Sequence, residues 1–244
     1  MAAIMIDSNS GGTIVRICSC AAASGAACIA LAVTLSGCSG NAEPQEQAAG
    51  QLLAEANRAM KSLRAVTITG RVTMEDGRWG TTRLRTDLRG TCSFTSAAST
   101  GEKLDQIRIG DTDFIRPNLK HMQLSGMDTK GRKDQKNWGR TTVHPSASAR
   151  EKGLTDCTHP FASFGKAVKG ETGETRGVST ISLIVTDKTD KSGAYTFHVA
   201  TEGKPYIYEV VYKSPDFRNV TSFSDFNTPL NVKPPKAHVV NLPD

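Results

Sequence analysis

The sequence predicts an α+β protein built on one curved antiparallel sheet, with helices covering one of its faces. An apolar stripe at helical spacing runs through residues 46–63, and two-residue alternation dominates the segments that follow it. Plausible helices interrupt the strands again only between residues 125 and 168. Strand runs broken by a block of helices are typical of α+β proteins, and such alternation indicates a sheet with one solvated face.

Composition limits both the class and the partners. A chain of 244 residues with 38% hydrophobic residues can bury a core of its own, and we read it as one domain. This apolar fraction excludes a disordered chain and a multi-span membrane protein. The net charge of +6 is mildly basic and well short of a nucleic-acid-binding tail, so no nucleic-acid partner is expected.

The N-terminus has the pattern of an export signal. Residues 17–36 are uncharged, small or apolar, and follow Arg16 directly. The stretch ends in Leu35-Ser36-Gly37-Cys38, which matches the bacterial lipobox, where the thiol takes a diacylglyceryl group before cleavage. The alternative is a cysteine in an ordinary membrane-spanning helix.

The lipobox divides the chain into three parts. Residues 1–37 are predicted to be a signal peptide, 38–45 a lipidated tether, and 46–244 the folded domain. Cys38 would carry the acyl chains, including palmitate, that hold the protein on the extracytoplasmic face of the cell membrane.

The folded part begins with a helix over 46–63, whose apolar residues recur every three or four positions. Strands are then expected at 66–74, along 81–94, and as a hairpin from Leu104 to Ile115. Short helices are expected near 145–152 and 160–168, and a loop at 170–177. Alternation predicts later strands around Leu183, Phe197, Tyr208 and residues 220–227, followed by a Pro-rich strap.

The six cysteines do not form a simple three-bridge framework. Cys18, Cys20 and Cys28 lie in the predicted signal peptide, and Cys38 is the predicted anchor. Cys92 and Cys157 remain, and an oxidising compartment favours a disulfide between them. The alternative is two free, reactive thiols. The bridge would close a loop of 66 residues and stabilise the folded state by roughly 4 kcal/mol in the chain-entropy model.

Catalytic and metal signals are missing from the sequence. The five histidines have no metal-site spacing, and no nucleophile elbow, phosphate loop or dinucleotide fingerprint occurs. We therefore expect no enzyme, no cofactor and no metal. The basic stretch 130–140, which contains Trp138, could bind an anionic polymer or lipid head groups; the alternative is a solvated loop.

A sheet covered by helices can leave an apolar cavity between its layers. The residues expected to point into it are Ile68, Leu84, Leu88, Phe94, Ile107, Phe197, Val199 and Tyr208. The same residues could equally form a filled core.

Three features together resemble a known family: the lipobox, a first helix ending in MKSLRAVTITG, and a late run of strands read from YTFHVATEGKPYIYEVVY to VTSFSDFNTPLNVKPP. They resemble actinobacterial lipoproteins of the LppX/LprG type, within the LolA/LolB-like superfamily. The resemblance covers most of residues 46–240 and is weak between 116 and 175.

The resemblance implies a half-open β-barrel with helices on its concave face and a hydrophobic cavity. It also implies lipid or lipoprotein carriage at the cell envelope. The partner we expect is a lipid or glycolipid ligand, and we expect the protein to be a monomer. It assigns no catalytic residue. The competing hypothesis is an envelope sensor or interaction module with a filled core.

Overall fold

A computed structural model describes residues 44–127, 129–131, 133, 135–143, 154–163, 165–186 and 192–242. Residues 41–244 form a compact unit by themselves, and every strand given below belongs to it. The predicted signal peptide, Cys38 and the predicted helix at 145–152 lie outside the described residues. Among the described residues, no helix is long and apolar enough to span a membrane.

The elements are two helices and twelve strands. The helices are α1 (Pro44–Lys61) and α2 (Leu119–Leu124). The strands are β1 (Val66–Met74), β2 (Trp79–Thr86), β3 (Cys92–Ala98), β4 (Lys103–Ile109), β5 (Thr112–Pro117), β6 (Trp138–Thr142), β7 (Lys166–Thr175), β8 (Val178–Thr186), β9 (Ala194–Ala200), β10 (Ile207–Lys213), β11 (Phe217–Ser224) and β12 (Val239–Asn241).

All twelve strands form one sheet. Its order is β12-β6-β5-β4-β3-β2-β1-β11-β10-β9-β8-β7, so two meanders meet where β1 pairs with β11. Every pairing is antiparallel except that of β12 with β6. A curved antiparallel sheet fits this order, as predicted. A helical cover over a concave face is not shown by the described residues and stays a prediction.

The core lies on one face of the sheet, which we call the inner face. Helix α1 contributes Ala49, Leu53, Ala56 and Met60, which recur at helical spacing and are buried, and Leu63 just after the helix joins the same cluster. They pack with inner-face residues of β1, β2 and β7–β11, and α1 contacts β7 and β10. The predicted apolar stripe of this helix is confirmed, although the helix begins at Pro44 and ends at Lys61.

Three sequence predictions about local structure are wrong. The alternation read along 81–94 breaks at Thr86, because residues 87–91 turn back to form the β2–β3 hairpin. Asp87 Oδ1 accepts hydrogen bonds from the backbone N–H of Arg89 and Thr91, and Leu88 and Gly90 both have positive φ. An aspartate followed by glycine can stabilise such a turn against continued strand.

The helix predicted at 160–168 is wrong, since β7 already begins at Lys166. The loop predicted at 170–177 is also wrong, since residues 170–175 belong to β7. Ala167 pairs with Val185 and is buried in the core. Arg176 and Gly177 form the two-residue turn to β8, and both have positive φ, as a type I′ hairpin requires. Cross-strand pairing therefore prevailed over a locally polar sequence.

The segment 154–163 is attached to the inner face near β2–β5. Cys157 is bonded to Cys92 on β3, with a Cα–Cα distance of 5.4 Å. The Cys157 carbonyl accepts a hydrogen bond from the Thr86 hydroxyl. Gln106 on β4 donates to the carbonyl of Thr155 at 3.1 Å and accepts from its N–H at 2.9 Å. Backbone and side-chain groups of this segment are thus satisfied by the sheet beneath it.

A buried ion pair lies under this attachment. Arg108 and Asp113 face each other across β4 and β5, with side chains only 7% and 3% exposed. Asp113 accepts from Arg108 Nε at 2.8 Å and Nη2 at 2.6 Å, and from Gln106 at 2.9 Å. The hydrogen bonds that Arg108 donates to Asp113 raise the pKa of Arg108 against the opposing effect of burial, and the charge of Asp156 adds to the increase.

The substitution Asp113→Asn should destabilise the protein by about 3 kcal/mol, because it leaves the Arg108 guanidinium buried without a counter-charge. Urea unfolding measures this loss. The double variant Arg108→Met/Asp113→Leu should recover most of it, since no buried charge is then left unpaired. The control is Asp76→Asn, which breaks an exposed pair with Arg78 and should leave the unfolding midpoint unchanged. Equal losses in both single variants would contradict this account.

Candidate functional site

A pocket of about 520 Å³ lies where three segments meet: the C-terminal end of α1, the β2–β3 turn and the segment after Cys157. Its lining residues are Lys61, Leu63, Asp87, Leu88, Arg89, His159, Pro160, Phe161 and Ala162. This volume falls within the range of small-molecule sites.

Each wall of the pocket is fixed by hydrogen bonds or by the disulfide. The turn at residues 87–91 is held by Asp87 Oδ1, and the N–H of Leu88 donates to the Thr86 hydroxyl at 2.8 Å. The disulfide fixes the start of the third wall. A hydrogen bond of 2.5 Å from Asn57 Nδ2 on α1 to Ser163 Oγ fixes its end. The pocket is therefore preformed rather than made by a free loop.

The floor of the pocket is apolar and aromatic. Leu63 and Phe161 are buried, and Leu88 packs against the same core cluster. The Phe161 ring lies 4.8 Å from the His159 ring and 5.9 Å from that of Phe223 on β11. These contacts connect the pocket floor directly to the sheet core.

The rim is polar and mostly cationic. Lys61 and Arg89 are exposed, and Asp87 is the one carboxylate among the lining residues. One oxygen of Asp87 is already engaged by two backbone N–H groups of its own turn. The rim therefore carries two cations and one carboxylate, an excess of one positive charge. Such an arrangement suits a molecule with an apolar part and an anionic part.

His159 is the titratable group whose environment is most unusual here. Burial against Phe161 and Phe223 lowers its pKa from 6.5 to about 4. The imidazole is therefore neutral at physiological pH and adds to the apolar wall. The spacing of the histidines in the sequence did not identify His159 as a candidate. Its position midway between Cys157 and Phe161 was the signal that could have found it.

The eight residues predicted to line a cavity do not come together at one site in the structure. Ile68, Leu84, Phe197 and Val199 are buried in the core cluster, and Phe94 packs against it. Leu88 lines the pocket. Tyr208 contacts the Phe226 ring edge-on at 5.1 Å. Ile107 lies on the opposite face of the sheet, because it pairs with Ser93 while Gln106 pairs with Phe94.

Trp138, the aromatic residue of the basic stretch 130–140, is buried in β6. The guanidinium of Arg116 lies over its ring at 4.7 Å. Its role in the described structure is therefore packing, whereas Arg140 in the same strand is exposed. Among the described residues, no group of three or more His, Cys, Asp or Glu side chains could hold a metal ion.

Comparisons with known proteins give structural neighbours only. No family model and no curated protein matches the chain. LprF from Mycobacterium bovis is 11% identical, with a TM-score of 0.49 over 78% of this chain and 98% of that one. The lipoprotein LppX from Mycobacterium tuberculosis is 16% identical, with a TM-score of 0.49 over 75% and 99% of the two chains.

A LolA-superfamily protein from Nitrosomonas europaea is 8% identical, with a TM-score of 0.27 over 73% of this chain and 92% of that one. Membership of this chain in their family, and an actinobacterial origin, stay predictions.

The partly buried His159 should make folding stability depend on pH. The unfolded histidine takes up a proton near pH 6.5, whereas the folded one does so only near pH 4. Stability should therefore be unaffected above pH 6.5 and fall by up to about 3 kcal/mol as the pH drops from 6.5 to 4.

Urea unfolding at pH 7 and at pH 4.5 checks this dependence. His159→Gln should flatten the His159 contribution, whatever its effect on absolute stability. His238→Gln removes an exposed histidine and serves as the control. The same slope in His159→Gln as in the wild type would contradict the assignment.

Proposed function

We propose that this protein is a membrane-anchored extracytoplasmic lipoprotein that binds a lipid, glycolipid or other apolar ligand at the cell envelope. The observation that carries the proposal is the preformed pocket, in which an apolar floor of Leu63, Leu88 and Phe161 lies below a rim bearing Lys61 and Arg89. An amphiphile with an anionic head group matches both parts.

The mechanism is sequestration rather than chemistry, and we propose no enzymatic activity. An acyl chain gains roughly 25 cal/mol for each Å² of apolar surface that leaves water. Charge-assisted hydrogen bonds from Lys61 and Arg89 to the head group would orient the ligand with its chain toward Phe161. No cofactor is needed for this role, and we expect the protein to act as a monomer.

The alternative is an envelope interaction or sensor module whose core is filled. One observation favours it: Leu183, Val185 and Val199 have no exposed surface, and they belong to the same cluster as α1. The space between helix and sheet at these positions is occupied by side chains. A ligand would therefore occupy the pocket at the end of α1 rather than the centre of the fold.

Ligand binding is tested by filling the pocket. Ala162 lines it and is exposed, so Ala162→Trp adds an indole to the pocket without creating a cavity in the core. Lipid that co-purifies with the protein, quantified by mass spectrometry, should fall roughly tenfold in this variant. Thermal unfolding should stay near that of the wild type.

Ala237→Trp is the matched control, since Ala237 is exposed in the C-terminal segment far along the chain from the pocket residues. It should retain the lipid. Equal lipid in both variants, or wild-type protein that carries none, would favour the filled-core alternative.

Anchoring is tested at Cys38. The substitution Cys38→Ser removes the thiol that would be acylated, so the protein should remain unprocessed or leave the membrane fraction on cell fractionation. Cys28→Ser, within the predicted signal peptide, should be processed and retained as the wild type is. Normal processing and retention of Cys38→Ser would show that the lipobox interpretation is wrong.

A further inference from the structure

The face of the sheet opposite the core, which we call the outer face, carries an unusual excess of positive charge. Strand side chains alternate between the two faces, so the cross-strand register assigns each residue to one of them. Nine basic residues of the strands belong to the outer face: Arg71, Arg83, Arg85, Lys103, Arg116, Arg140, Lys166, Lys213 and Arg218.

Only two acidic residues of the described strands are assigned to this face by the same register. They are Asp105, which binds Arg116 at 2.8 Å, and Glu209, which accepts a hydrogen bond from Ser222 at 3.2 Å. The whole chain has 30 basic and 24 acidic residues, so the remainder is close to neutral. The strand residues assigned to the outer face therefore have an excess of seven basic over acidic side chains.

An apolar row crosses the same face. It consists of four aliphatic residues and one threonine that are consecutive cross-strand neighbours from β7 to β11, namely Val168, Ile184, Thr196, Val211 and Val220, and the row ends at Arg71 on β1. Val168 and Ile184 are each 42% exposed, which is high for aliphatic residues in strands. Packing within the sheet gives no reason for aliphatic side chains to be exposed at these positions.

The next row toward the β10–β11 turn is basic. Lys213 and Arg218 lie directly opposite each other, and Lys166 lies in the same row on β7. Like charges directly opposite in an antiparallel pair destabilise the sheet. Placing two cations in that position therefore has a cost to folding that a binding role would explain.

Aromatic and cationic groups also adjoin at the far end of the apolar row. The guanidinium of Arg71 lies 5.5 Å from the centre of the Trp79 ring, and both residues belong to the outer face. The acids nearby are Glu75, Asp76 and Asp216 in the adjoining turns, and Asp76 is paired with Arg78. Apolar side chains, an indole and a row of cations together match the interfacial region of an anionic bilayer.

The length of the tether keeps this face close to a membrane. Five residues separate Cys38 from Pro44, where α1 begins, so the chain between these two residues spans about 20 Å at most. Helix α1 packs against β7, the edge strand in which the apolar row begins. An anchor at Cys38 therefore holds the β7 side of the sheet within reach of the lipid surface.

We propose that the outer face, from Val168 to Arg71, docks on an anionic lipid bilayer. This inference rests on the proposed function for its location, because the anchor brings the face to the membrane. A soluble polyanion would be recognised by charge alone and would leave the exposed pair Val168 and Ile184 unexplained. An anionic bilayer accounts for both rows, because its head groups would contact the cations and its interfacial region would contact the apolar row.

The experiment uses residues 41–244, the compact unit that contains the whole described sheet, core and disulfide, so neither anchor nor signal takes part. Thermal unfolding first establishes that each variant is folded. Sedimentation with vesicles then measures binding to phosphatidylcholine mixed with phosphatidylglycerol and to phosphatidylcholine alone. Binding is expected only to the anionic vesicles, and it should weaken as salt is raised.

The charge arm compares two double reversals. Lys213→Glu/Arg218→Glu should weaken vesicle binding at least tenfold. Lys233→Glu/Lys236→Glu changes the net charge equally, but these exposed lysines lie outside every strand, so binding should change less than threefold. In the apolar arm, Val168→Ser/Ile184→Ser should weaken binding, whereas Leu124→Ser, at an exposed leucine in α2, should not.

Three results would overturn the proposal: no binding of the folded unit to anionic vesicles, equal weakening by both charge reversals, or binding to soluble polyphosphate that competes fully and does not depend on Val168 and Ile184. Failure of the proposed function has a different signature. If Ala162→Trp retains its lipid, or Cys38→Ser stays membrane-bound, the pocket or the anchor is wrong, while vesicle binding by the anchor-free unit still decides the docking face.

Discussion

Attachment of the segment around Cys157 to the inner face of the sheet is the constraint on which the rest of the structure depends. One covalent bond to Cys92 and the hydrogen bonds of Thr86 and Gln106 hold a stretch that has no regular secondary structure. Below them, Arg108 and Asp113 must stay paired, because neither charge can return to water without lifting this segment. The attachment closes the core beyond the end of α1 and forms one wall of the pocket.

A single sheet with two unlike faces follows from this arrangement. The inner face buries its apolar residues under α1 and the Cys157 segment, whereas the outer face carries nine basic strand residues and the exposed Val168 and Ile184. The two proposed activities are thus separated. The pocket at the end of α1 would hold an apolar ligand, and the opposite face would hold the protein against a charged surface. Neither requires the other's residues.

The sequence pattern correctly predicted the elements in which buried residues recur at regular spacing. Strand β1 and the hairpin of β4 and β5 were predicted at nearly the observed bounds, because alternate residues meet the core. The same reasoning failed at residues 87–91, where one aspartate side chain and a glycine reverse the chain. It also failed at β7, whose polar sequence becomes a strand only because β8 offers it a register. The burial of Arg108 could not be predicted for the same reason, since no neighbouring residue in the sequence indicates it.

The sequence by itself determined the face of α1 that is buried, the β-rich character of the chain, and the two cysteines available for a bridge within the folded part. Those features depend on spacing and residue type alone. The tertiary structure decided where apolar space remains: most residues expected to line a cavity pack as core, and the pocket lies instead among residues 61–63, 87–89 and 159–162. It also decided that nine distant cations share one face. Both depend on which strands become neighbours, and that choice is made by long-range pairing.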